Sequence, residues 1–168
     1  MRIIIDGYNL IRQWPELAML DRADLEAGRE ALIAELSAYR RAKGHQITVV
    51  FDGRERGGLS ERSEQARGIA VRYSRHGETA DEVIARLAVG SGQGAAIVSS
   101  DHAVQAAARR HGAAPISSPE FIARLDAARL AALKGDEEDE GPPRKTGKGT
   151  ARRLPKAERR TQQRLRDL

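Results

Sequence analysis

The stretch MRIIIDGYNL, residues 1–10, decides the fold. Ile3, Ile4 and Ile5 form an apolar run without alternation, the pattern of a short strand buried on both faces. Such strands belong to parallel sheets covered by helices, where ligands gather at the strands' carboxyl ends. The run stops at Asp6-Gly7-Tyr8-Asn9, which places Asp6 at such an end. Asp-Gly is also an ordinary turn pair, so the dipeptide alone does not separate a site from a turn.

Working outward, four further segments read as strands. QITVVFD (46–52) is rich in β-branched residues and ends in Asp52-Gly53, and AAIVSSD (95–101) ends in Ser-Ser-Asp. IAVRY (69–73) and APIS (114–117) are shorter and weaker. Helical patterns lie between them. In 21–44, Leu25, Leu32, Leu36 and Tyr39 recur at helical spacing, with Asp21 and Asp24 suiting the N-terminus and Gly44 the C-terminal cap. The segments 79–90, 101–112 and 119–133 follow the same logic. Strands alternating with helices predict an α/β fold with three layers, α/β/α, around a central, mostly parallel sheet.

The chain of 168 residues fits one domain and an appendage. Its 40% hydrophobic content with few aromatics implies a core of Ala, Leu, Ile and Val. With no cysteine, disulfides and thiolate zinc sites are excluded. The N-terminus lacks the basic and apolar regions of a signal peptide, and no apolar run approaches membrane-spanning length. The expectation is a soluble cytoplasmic protein with no membrane partner.

Charge is unevenly placed. Residues 134–140 carry one Lys against five acids, and residues 141–168 carry ten Lys/Arg against two acids. Of the net charge of +5, the tail from 141 therefore holds +8 and the 134–140 segment −4, which leaves +1 for residues 1–133. The sequence predicts a domain over 1–133, then a charged linker and a flexible basic tail over 134–168. A basic tail suits nucleic acid or the ribosome, and serves equally as a solubilising segment.

The predicted sheet brings carboxylates to one edge. Asp6, Asp52 and Asp101 each follow a strand, while Asp81 and Glu82 lie in the first turn of the helix beginning near Thr79. Each also has a purely structural reading. Thr79 and Glu82 match a capping box, Asp81 suits the helix dipole, Ser99, Ser100 or Asp101 suits an N-cap, and Asp52-Gly53 suits a turn. Together they change the balance, because crowded carboxylates repel unless a cation neutralises them. Oxygen ligands without Cys or a His pair suit Mg²⁺ or Mn²⁺. A hard divalent ion of that kind is the usual agent of phosphodiester hydrolysis. Asn9, three residues after Asp6, is placed to orient a carboxylate or a water.

DGYN (6–9), VVFDG (49–53), ETADEVI (78–84) and IVSSD (97–101), in this order and spacing, resemble the NYN branch of the PIN-like nucleases, and most of all its YacP-like members. The resemblance covers roughly residues 1–130. It implies a PIN-like fold and a Mg²⁺- or Mn²⁺-dependent endoribonuclease, with RNA as substrate and the ribosome as a further partner. Matched residue by residue, it assigns Asp6, Asn9, Asp81 and Asp101, then Asp52 and Glu82, to the catalytic site, with Asp6, Asp81 and Asp101 as metal ligands. Many PIN domains add an acid on the helix after the first strand; Glu30 and Glu35 are the candidates, and no motif singles out either.

The segment GRERGGLSERSEQARG (53–68) follows Asp52 directly. Its Arg54, Arg56, Arg62 and Arg67 suit contacts to RNA phosphates, although LSERSEQAR also suits a solvated helix. Tyr8 fits either a base-stacking or a packing role. Trp14, before Pro15, is expected to anchor the loop leading to the long helix. His76, His102 and His111 share no metal-binding spacing, and His102 beside Asp101 is the one placed to touch substrate. Two rivals stand against the nuclease. One is an RNA- or ribosome-binding module that cleaves poorly. The other is a phosphatase with Asp6 as nucleophile, which would want a second acid where Tyr8 stands.

Overall fold

A computed structural model describes residues 1–53 and 62–134. Arg54, Arg56 and the tail from residue 135 lie outside the described residues. The strands are β1 (Arg2–Asp6), β2 (Gln46–Phe51), β3 (Arg62–Ala66), β4 (Ile69–Tyr73), β5 (Ala95–Val98) and β6 (Ala114–Ile116). The helices are α1 (Gly7–Gln13), α2 (Pro15–Ala23), α3 (Leu25–Lys43), α4 (Ala80–Ser91), α5 (His102–Arg110) and α6 (Ser118–Lys134). One six-stranded sheet runs in the order β3-β4-β2-β1-β5-β6, parallel except for the antiparallel β3–β4 pair.

The unbroken isoleucine run is explained by its place at the middle of this sheet. Ile3 and Ile5 face one side, in a core with Val49, Phe51 and Val71 under α1, α2, α3 and α6. Ile4 faces the other, with Val50, Ile97 and the apolar residues of α4 and α5. All three are at most 1% exposed, and burial of each contributes about 2 kcal/mol. A strand covered on both faces leaves no position for a polar residue until its end. That end is Asp6.

The long helix begins later than its pattern implied. Asp24 is the N-cap of α3, its side chain accepting from the Glu26 backbone N–H at 2.9 Å, whereas Asp21 belongs to α2. Gly28 of α3 lies so close to Asp21 that a Cβ there would stand 2.8 Å from the Asp21 Cβ. The stretch expected as a loop around Trp14 is instead two short helices meeting at Trp14, with Pro15 opening α2. The anchoring role survives, since Trp14 is 8% exposed.

Residues 62–68 are neither long loop nor solvated helix. They form the edge strand β3 and a tight turn onto β4, in which Arg67 and Gly68 both take positive φ, 52° and 81°. That pair of conformations is the two-residue hairpin turn whose twist matches the strands. The Ser37 hydroxyl fixes the turn by donating to the Arg67 carbonyl at 2.9 Å.

Candidate active site

In the connection order of the sheet, β1 leads to β2 and then the β3–β4 hairpin on one side, and the chain then crosses back to β5 and β6 on the other. The strand order therefore reverses between β1 and β5, and ligands of open α/β sheets bind just beyond the carboxyl ends at such a point. Asp6 and the Ser99-Ser100-Asp101 turn flank it.

Asp6 is 8% exposed and does two jobs. One oxygen caps α1, accepting from the Asn9 backbone N–H at 3.2 Å; the other accepts from the Ser99 hydroxyl at 3.2 Å. Gly7 lets the helix begin against the sheet, because a Cβ there would stand 2.3 Å from the Phe51 ring. Burial is the largest influence on the Asp6 carboxyl and, with the negative charge of Asp81, outweighs these hydrogen bonds and Arg12, lifting its pKa to about 6.

Asn9 locks three segments together. Its side-chain oxygen accepts from the Ser100 backbone N–H at 2.9 Å and from the Ser118 hydroxyl at 2.8 Å. A backbone N–H can only donate, so the atom it meets is the carbonyl oxygen. With both lone pairs of that oxygen engaged, the capacity left to Asn9 is its amide NH₂, a donor. Ser118 in turn donates its backbone N–H to the Ser100 hydroxyl at 3.1 Å.

Asp101 caps α5, one carboxylate oxygen accepting from the Ala103 and Val104 backbone N–H groups at 2.7 and 3.1 Å. Its own N–H donates to the Ser99 hydroxyl at 3.1 Å. Ser99 is thus the hinge between Asp6 and Asp101, and Gln105 holds the Ser99 carbonyl at 2.9 Å. Across the edge, the Asp81 pKa is raised, first by desolvation and then by the charges of Asp101, Asp52 and Glu82. Counting Asp6, four predicted acids therefore lie within electrostatic reach of Asp81.

Glu82 is committed to its capping box: its carboxylate accepts from the Thr79 N–H at 2.8 Å, and the Thr79 hydroxyl accepts from the Glu82 N–H at 3.3 Å. Asp52 follows β2 beside Gly53, whose N–H donates to the Ser74 hydroxyl at 3.0 Å. A Cβ on Gly53 would meet the Ser74 carbonyl oxygen at 1.9 Å, so β2 can end there only in glycine. Among the described residues, no group of three His, Asp or Glu side chains converges closely enough to hold an ion as it stands.

Other candidates fall elsewhere. Tyr8 packs inward, 5.1 Å edge-on to Phe51, and its hydroxyl accepts from the buried Arg29 at 2.8 Å, so it offers no face to a base. Glu35 lines a groove between α3 and α6, and Glu30 is exposed on α3. Arg62 and Arg67 lie in the β3 hairpin, both exposed. His76, His102 and His111 are exposed, and His102 opens α5 next to Asp101. The site residues that sequence reasoning missed are Ser118 and Gln105, which hold Asn9 and Ser99. Their only signal was polar identity.

Comparison with known proteins agrees with this fold. The chain aligns with the Bacillus subtilis protein YacP at 36% identity over 86 residues, 51% of this chain and 50% of that protein. The aligned part thus spans about half the relative's length. A crystal structure of Rae1 (YacP) from Bacillus subtilis superposes with a TM-score of 0.64 at 28% identity, covering 82% of this chain and 83% of that one. A mutant form of the same protein gives a TM-score of 0.68 at 27% identity, covering 79% of each chain. The model of the YacP-like NYN domain matches residues 3–167, through the basic tail as well as the sheet. By fold, motif order and this match, the chain belongs to the YacP-like NYN domain family.

Proposed function

We propose that this protein is a Mg²⁺- or Mn²⁺-dependent endoribonuclease that hydrolyses RNA phosphodiester bonds, with mRNA at the ribosome as its setting. The observation that carries the reading is Asp6. It is a carboxylate 8% exposed, raised to a pKa of about 6, beside a second raised carboxylate at the sheet's switch point. Two neighbouring acids held against desolvation, with mutual repulsion added, fit a cation, and the donor set is oxygen only, as a hard divalent ion prefers.

In this reading Asp6, Asp81 and Asp101 hold the ion, Asp52 adds charge behind Asp81, and Glu82 fixes the start of α4. When bound, the ion supplies an acidified water and offsets negative charge gathering on the phosphate. Each Asp6 oxygen accepts one hydrogen bond, from Asn9 or from Ser99, and retains a lone pair for that purpose. Asn9, left with only donors, serves as a phosphate or carboxylate contact rather than as a metal ligand. Arg54, Arg56, Arg62 and Arg67 and the basic tail supply contacts to the RNA backbone.

One observation favours a second reading, an RNA- or ribosome-binding module that cleaves poorly. Two of the acids, Asp101 and Glu82, are already occupied as caps, and no three acids converge unaided among the described residues. Incubating the purified protein with end-labelled single-stranded RNA separates the two. Internal cuts that require Mn²⁺, stop with EDTA and vanish in Asp6→Asn support the nuclease. Binding without cleavage supports the module.

A further inference from the structure

The two helices on the Ile4 side of the sheet, α4 and α5, pack chiefly on β1, β2, β5 and β6. The same face of the β3–β4 hairpin borders a groove of about 480 Å³. It extends from the starts of β1 and β2, where Arg2 and Gln46 stand opposite Asp6, across to Arg72 of β4, which pairs with Val50 two strands from Asp6. From Arg2 to Asp6 is about 13 Å along the strand, at about 3.3 Å per residue.

The lining is basic and polar. Arg2, Arg40 and Arg72 contribute three guanidinium groups, and among the described residues that line the groove none is Asp or Glu. Strand alternation accounts for this. Ser63 pairs directly with Arg72 and Gln65 with Ala70 on the groove face, while Glu64 between them points to the other side and accepts from the Tyr73 hydroxyl at 3.2 Å. Arg40 enters from the last turn of α3 over Gly68, where a Cβ would stand 2.7 Å from a guanidinium nitrogen. The hairpin turn selects glycine for its positive φ, and the bare Cα also leaves room for the Arg40 guanidinium. Arg2 is steadied by donating to the Ser91 hydroxyl at 2.9 Å.

Planar guanidinium forks suit phosphate oxygens, and amide and hydroxyl side chains beside them suit phosphate or ribose. Among the described residues the lining holds no aromatic ring, so these residues offer no platform for stacking bases and no means of reading sequence by that route. We propose that this groove is a second contact site for single-stranded RNA, gripping the phosphate backbone on the Ile4 face of the sheet, from the starts of β1 and β2 across to the edge hairpin. The choice of RNA over an acidic protein rests on the endoribonuclease reading. Long substrates would span both sites, and short ones would reach only the carboxylates.

The test uses the full chain with Arg2, Arg40 and Arg72 all changed to Gln. Binding of a long unstructured RNA is measured in EDTA across a salt series, and cleavage of a short oligoribonucleotide is measured in Mn²⁺. We expect long-RNA affinity at low salt to fall at least tenfold. The log–log salt slope should become shallower by about two, since each single-strand phosphate contact contributes about 0.7. Short-substrate cleavage should be unchanged. Should the triple variant unfold, Gln65→Glu places an acid in the groove from the exposed edge strand and should weaken long-RNA binding several-fold. Unchanged affinity and slope in either folded variant overturn the proposal. So does tighter arginine-dependent binding of a polyglutamate peptide than of RNA. Arginine-dependent RNA binding by a protein that cuts nothing in Mn²⁺ keeps the groove and sinks the nuclease instead.

Discussion

The hydroxyl of Ser118 donates to the side-chain oxygen of Asn9 at 2.8 Å, joining residues 109 apart in the chain. Ser118 is fully buried, at 0% exposure, so bulk water is not at hand to replace it. Ser118→Ala should therefore lower stability by about 1–3 kcal/mol, the cost of a buried acceptor losing a partner. Thermal unfolding measures the loss. If Asn9 presents its amide to substrate, RNA cleavage should fall as well, while the Mn²⁺ concentration giving half-maximal rate stays put. A variant as stable and as active as the parent would remove Ser118 from the site.

Asp6 makes the stability depend on pH in a stated direction. Its folded pKa, about 6, lies above the ordinary 3.8, so between those values the folded state keeps a proton that the unfolded chain releases. The associated stability is complete below about 3.8 and is lost as pH rises through 6. The shift corresponds to on the order of 3 kcal/mol at neutral pH. In EDTA, Asp6→Asn should consequently gain on the parent protein by 1–3 kcal/mol more at pH 7 than at pH 4. Chemical denaturation at the two pH values decides; an equal difference at both would show that burial does not disfavour the ionised Asp6 carboxylate.

Divalent ions should reverse that penalty. Adding Mn²⁺ at pH 7 is expected to raise the melting temperature, because binding to the folded state alone stabilises by RT ln(1 + [L]/Kd). At a hundredfold excess over Kd that amounts to about 2.7 kcal/mol. EDTA should cancel the rise, and Asp81→Asn should abolish it. A rise of equal size in Asp81→Asn would place the ion elsewhere.

Asp101 separates charge from capping. Asn caps helices about as well as Asp does, whereas Ala costs about 1 kcal/mol. Asp101→Asn should keep the melting temperature and lose at least a factor of ten in cleavage rate, about 1.4 kcal/mol of activation free energy. Asp101→Ala should lose both. Full activity in the Asn variant would leave Asp101 as a cap alone.

Much of this arrangement was legible because the physical signals are local. The isoleucines of β1, the β-branched run of β2 and the apolar AAIV of β5 could only be covered strands, and their ends delivered Asp6, Asp52 and Asp101 to one edge. The misses have physical causes too. RSEQA of β3 carries no apolar alternation; it is a strand because β4 supplies its hydrogen bonds, and nothing in its own composition says so. The helices α1 and α2 were hidden because Trp14-Pro15 looks like a break, and because α2 buries only Leu17 while exposing Met19 and Leu20. Ser99 was read only as a candidate helix cap and Ser118 not at all, since their partners lie 93 and 109 residues away.

The position of β1 between β2 and β5 also sets a timetable. During synthesis, β1 meets β2 early, and Asp6 can gain a core beneath it while its neighbour on the other side has not been made. At about 5–20 residues per second, the interval between translating Asn9 and Ser118 is roughly 5–20 s. Throughout that time the nascent chain can hold part of a sheet but no assembled carboxylate edge. A polypeptide emerging beside RNA thus becomes complete at its site only when its last strands arrive, and any truncated product lacking β5 is left without one.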